Sequence, residues 1–167
     1  MNQFYRRVCD VKDLVVRDCF LDLKMEIRID LQRDSGELLG YGELTSGGYY
    51  VDVDSVMRRA NVDELYGGMA HEIAQIYQDA QRHFLSRKVF DIVSKIGTKY
   101  GKGLCYRAVV NSGRDADLLI VEKGMGESLL AFLRFHQREY PDYRIDEGLS
   151  ISELEKILSV KKRSFGN

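Results

Sequence analysis

The chain has 167 residues, 44% of them hydrophobic and 31% charged, with a formal net charge of −1. This is the composition of one folded domain covering residues 1–167 with its own core, and it excludes disordered, collagen-like and strongly polybasic classes. Cys9, Cys19 and Cys105 are too few and too widely spaced for a disulfide framework or a zinc finger, and apolar runs such as Leu118–Val121 fall far below the ~20 residues of a membrane-spanning helix.

The opening residues Met1–Asp10 contain no apolar run of the signal-peptide kind, so a cytoplasmic location and no membrane partner are expected. From Val15 to Leu31 apolar and polar residues alternate. Cys19, Leu21, Leu23, Met25, Ile27, Ile29 and Leu31 fall on one face, with Asp22, Lys24, Glu26, Arg28 and Asp30 on the other. Period two predicts a long β-strand. Seventeen residues at ~3.3 Å each would span ~56 Å, more than the ~40 Å diameter of a compact chain of this length, so the strand must bend, break or project.

Asp34-Ser35-Gly36 supplies turn chemistry and Glu37–Thr45 reads as the returning strand, with Gly40 and Gly42 marking a bend. Ser46-Gly47-Gly48 is a second turn, and Tyr49–Asp54 alternates as a third strand. Residues 15–54 are therefore expected to form an antiparallel β-meander with a long first hairpin. Asn61-Val62-Asp63-Glu64 has the form of a capping box. Met69, Ile73, Ile76, Ala80 and Phe84 follow at helical spacing, then Leu85, Val89, Ile92 and Ile96 with a one-residue offset, which predicts a long, bent central helix or two consecutive helices.

Leu104–Val110 and Ala116–Val121 read as a second hairpin around Ser112-Gly113. Gly124-Met125-Gly126 leads into a helix over 127–140 with a stripe of Leu129, Leu130, Leu133 and His136, stopped by Pro141. A short last helix runs from Ser152 to about Val160, and 161–167 is a basic tail expected to fray. Strands and helices segregate, so the class is α+β.

Charge is unevenly placed. Residues 10–54 hold eleven acidic and five basic side chains, whereas 82–102 holds Arg82, Arg87, Lys88, Lys95, Lys99 and Lys102 against Asp91. Phe84, Phe90 and Tyr100 stand among these cations, a composition suited to nucleic-acid binding, although a solvated helix face or pairing with the acidic meander accounts for it equally. His71, Gln75, Asp79 and His83 lie four apart on the central helix. His71-Glu72 begins a metalloprotease-like pattern, but Gln75 stands where a second histidine is required, and two ligands do not make a site, so no metal is expected there.

Asp115 and Asp117, two apart on the expected strand, would point the same way and could share a divalent metal. Asp115–Val121 resembles the Asp-x-Asp strand of nucleotidyltransferases, a family that places a Gly-Ser pair at a helix start before its carboxylates, where this chain has Asn111-Ser112-Gly113-Arg114. The resemblance implies metal-dependent nucleotidyl or phosphodiester transfer through Asp115 and Asp117. Gly124–Ser128 lacks the Lys-Ser/Thr ending of a phosphate loop, and no GxSxG elbow occurs.

With no catalytic residue or cofactor implied by any strong motif, the sequence points first to a non-enzymatic protein that binds a macromolecular partner, as a homo-oligomer. The expected interface is the apolar face of the long strand, Leu21, Leu23, Met25, Ile27 and Ile29. Nucleic-acid binding through 82–102 and metal-dependent transfer at Asp115 and Asp117 are the alternatives.

Overall fold

A computed structural model describes residues 2–32, 38–81, 104–142 and 148–165, without the side chains of 104–111 and 164–165. The class is α+β, as the segregated patterns predict: helices pack on one face of a small three-stranded sheet.

Helix α1 spans Gln3–Cys19, with the Asn2 side chain accepting from the Phe4 amide at 3.0 Å. Phe4, Val8, Val11 and Val15 recur at i, i+4, i+7 and i+11 and form its buried face. This corrects the long strand expected from Val15. Residues 15–19 finish α1, Leu21 and Asp22 turn, and strand β1 occupies only Ile27–Gln32. The alternation seen across 15–25 is a coincidence of helix and turn residues. The true strand is ~20 Å long, which removes the length conflict.

Strands β2 (Leu39–Glu43) and β3 (Tyr49–Asp54) complete the sheet. Its order is β1-β3-β2, with β1 parallel to β3 (Ile27 beside Tyr49) and β2 antiparallel to it (Leu39 beside Val53). The expected antiparallel meander is therefore a mixed sheet, and the first hairpin is absent because β3, not β2, pairs with β1. The second turn stands as read: Gly47 and Gly48 adopt φ of +86° and +90° between β2 and β3. Tyr49, Val51 and Val53 face the helices and are buried.

After a 3-10 turn at Ser55–Arg59, helix α2 runs Val62–Gln81. Its capping box is closed in both directions, the Asn61 amide donating to Glu64 Oε2 at 2.7 Å and the Glu64 amide to Asn61 Oδ1 at 2.9 Å. Met69, Ile73 and Ile76 are buried as their spacing predicts. The continuation expected over 82–97, with its bend, lies outside the described residues.

Helix α3, Leu104–Glu122, replaces the predicted second hairpin. Gly113, Ala116, Asp117, Ile120 and Val121 are its buried side, at i, i+3, i+4, i+7 and i+8. The Val and Ile pairs that suggested strands are helical here because that spacing lets one face pack on α2. Gly124, at φ +89°, then ends the helix: its amide bonds to Val121 O and that of Met125 to Ile120 O, the two bonds of a Schellman motif. Helix α4 spans Gly126–Glu139, with Leu129, Leu130, Leu133 and His136 buried as predicted. Helix α5 spans Ile151–Phe165, so the segment expected to fray after Val160 stays helical to Phe165.

Helices α2 and α4 cross closely at Gly67 and Gly68. A Cβ on Gly67 would overlap the Ser128 carbonyl, and one on Gly68 would meet Phe132 Cδ2 at 2.7 Å. Among the described residues no helix is long and apolar enough to cross a membrane.

Candidate functional site

Helix α2 carries His71 and Gln75 one turn apart, and α3, packed beside it, brings Asp117 against them. His71 Nδ1 lies 2.7 Å from Asp117 Oδ1, and Gln75 Nε2 lies 2.5 Å from His71 Nε2. The second carboxylate oxygen, Asp117 Oδ2, accepts from the Leu149 amide at 2.6 Å. Since Asp117 can only accept when ionised, the imidazole donates through Nδ1–H, and its Nε2 accepts from the Gln75 amide. One proton direction satisfies every partner: Gln75 to His71 to Asp117, with Leu149 closing the carboxylate.

The side chain of Asp117 is 2% exposed and that of His71 16%. A carboxylate taken so far from water needs these donors, because a buried acceptor without them is strongly disfavoured. Gly148 makes room for the arrangement. Its φ of +98° is a left-handed conformation, and a Cβ there would sit 2.5 Å from Asp117 Oδ2. Glu72, adjacent to His71, is buried.

The metal-oriented readings change accordingly. On a helix, side chains two apart diverge by ~200°, so Asp115 is exposed while Asp117 is buried, and the pair cannot share an ion as it would on a strand. Among the described residues no three His, Cys, Asp or Glu side chains are grouped to hold a metal. Asp79, the next member of the α2 stripe, accepts from the Tyr41 hydroxyl on β2 at 2.7 Å, and His83 lies outside the described residues.

Of the expected interface residues, Leu21 is 77% exposed and Met25 36%, whereas Ile27 is buried and Leu23 and Ile29 pack partly against the core. The face is thus divided by the turn after α1 instead of forming one ribbon. Arg82, Arg87, Lys88, Lys95, Lys99 and Lys102 lie outside the described residues. His136, named only as a stripe residue, is buried between Phe132 and Tyr140, and burial lowers its pKa below the ordinary histidine value.

Asp117 joined to His71 is the pairing that sequence reasoning missed. Each residue stands out in the sequence by itself, but a hairpin over 104–121 would keep Asp117 away from α2. The helical spacing of Gly113, Ala116, Ile120 and Val121 was the available signal. No family model, curated protein or solved structure matches this chain.

Proposed function

We propose that this chain carries a divalent-cation site of the hydrolytic kind, with His71 and Gln75 of α2 and Asp117 of α3 as its protein groups and Glu72 next to His71 in the chain. The observation that supports it is the 2.7 Å approach of Asp117 to His71 from a different helix. The sequence alone offered one imidazole and an amide at the spacing where helix-borne metal sites have two histidines. The added carboxylate brings a negative charge to the same point.

With the Gln75 amide turned to present its oxygen, the donors are an imidazole nitrogen, a carboxylate and an amide carbonyl, a set that fits a cation of intermediate hardness. Asp117 either binds directly or stays on Nδ1 as the carboxylate that orients a ligating imidazole through Nε2. A bound cation of this class lowers the pKa of a water and polarises a carbonyl or phosphoryl oxygen. Glu72, next to the first ligand as in helix-borne hydrolytic motifs, is the residue suited to take the proton from that water. The Leu149 amide holds the carboxylate in place, and Gly148 leaves room for it.

Calorimetric titration with Zn²⁺ and with Mn²⁺ tests this. Wild type binds one ion, His71→Ala loses binding, and Gln75→His, which supplies a second imidazole, binds at least about tenfold more tightly. Absence of binding at millimolar metal in both wild type and Gln75→His overturns the proposal.

Self-association is a second reading, favoured by the exposure of Leu21 and Met25 around the turn after α1. Light scattering showing an oligomer that Leu21→Asp dissociates supports it, and a monomer at micromolar concentration refutes it.

A further inference from the structure

We propose that the groove between the N-terminal end of α1 and the 3-10 turn at Ser55–Arg59 binds a single phosphate group, as free phosphate or a small monoester. The groove has a volume of about 570 Å³, and its lining includes Phe4, Arg6, Arg7, Asp10 and Arg58. Three guanidinium groups thus face one carboxylate.

Arg6, Arg7 and Arg58 form no ion pair with a carboxylate among the described residues, whereas neighbouring Arg59 is held by Glu139 at 3.0 Å. Three like charges gathered beside a single carboxylate repel one another, and an anion in their midst relieves that repulsion. The cations are also held in place. Arg7 Nη2 donates to the Met57 and Arg58 carbonyl oxygens at 3.1 and 3.4 Å, and its Nε is buried without a hydrogen-bond partner. The guanidinium carbons of Arg7 and Arg58 lie 5.5 and 5.4 Å from the centre of the Phe4 ring. Two guanidinium planes are therefore positioned by one aromatic ring, which lowers the entropy lost when they engage an oxyanion.

Two features select phosphate over a nucleic-acid strand. Phe4 is buried under these arginines, so it offers no face for base stacking. The first turn of α1 contains no acidic residue, so the positive end of its dipole adds to the net double charge of the lining and matches a phosphate dianion. Guanidinium forks and tetrahedral oxyanions are geometrically matched.

The test is an amide-detected NMR titration of the whole chain with inorganic phosphate, against chloride at equal ionic strength. Expected are saturable shifts at Gln3–Arg7 with phosphate alone, and about tenfold weaker binding in Arg6→Gln and in Arg58→Gln, whose side chains are exposed. Arg134→Gln, on α4 outside the groove lining and paired with Glu155, leaves the affinity unchanged. A glycerol phosphate arm assigns the source: tighter binding than phosphate indicates an organic monoester, and equal binding the free ion. Non-saturating shifts, equal shifts with chloride, or undiminished binding in both arginine variants overturn the proposal and leave a solvated cation cluster.

Discussion

Replacing Asp117 tests whether the carboxylate dictates the protonation pattern of the site. Two donors end on it, the partly buried His71 Nδ1–H at 2.7 Å and the buried Leu149 N–H at 2.6 Å. Asp117→Ala deprives both of a partner, and at about 1–3 kcal/mol for each unsatisfied group the loss is about 2–6 kcal/mol. Asp117→Asn has a different outcome. Its Oδ1 still accepts from Leu149, while its Nδ2 becomes a donor toward His71 Nδ1. The imidazole then carries its proton on Nε2 and donates to Gln75, whose amide rotates to present its oxygen. The whole relay reverses direction without losing a hydrogen bond, so Asp117→Asn should retain the fold at a cost below about 1.5 kcal/mol. Urea unfolding measures both losses, and ¹⁵N shifts of the His71 ring distinguish the Nδ1–H and Nε2–H forms. An alanine variant within 0.5 kcal/mol of wild type, roughly the scatter of an ordinary surface substitution, or an asparagine variant that keeps the Nδ1–H form, would refute the assignment.

Further consequences follow from the same geometry. Gly148→Ala meets both a positive φ and the Asp117 carboxylate, whereas Gly47→Ala meets only the positive φ, with nothing within 4 Å of the new methyl; chemical denaturation should show Gly47→Ala losing about 1 kcal/mol and Gly148→Ala clearly more. Gly67→Ala gains about 1 kcal/mol of helix propensity but forces α2 away from the Ser128 backbone, so a net loss of about 2 kcal/mol or more is expected by thermal unfolding. Hydrogen bonds from Ser150, helped by Arg114, hold Glu153 at a pKa of about 2, below its ordinary 4.5. With the folded value depressed, the stabilisation is complete above pH ~4.5 and is lost as the pH falls toward 2. Because the group is exposed its worth is under about 1 kcal/mol, and Glu153→Gln should flatten the acid limb of the stability profile by that amount; an unchanged limb contradicts stabilisation through the Ser150 hydrogen bonds.

Legibility in the sequence followed the range of the interaction. The Asn61–Glu64 box, the Gly47-Gly48 turn, the Gly124 stop and the apolar stripe of α4 are set by contacts within a few residues, and each was readable from residue types and spacing. The site was half readable. His71 and Gln75 share a face of α2 by periodicity, but their partner is 46 residues beyond His71, on an element whose β-branched pairs looked like strand. The Leu149 amide carries no signature, since every residue other than proline has such a donor.

By itself, then, the sequence determined the α+β class, the Asn61–Glu64 box, the Gly47-Gly48 turn and the apolar stripes of α2 and α4, because those follow from backbone conformation and local periodicity. Tertiary structure decided the rest. The period-two run from Val15 divided into helix, turn and a short strand once Phe4, Val8, Val11 and Val15 had a common surface to pack on. β3 came between β1 and β2, a choice made by pairing partners far apart in the chain. The carboxylate of Asp117 reached His71 only because α3 is a helix lying on α2. Burial of one face against another element outweighs intrinsic preference by several-fold in energy, and which face finds which element is a property of the whole chain.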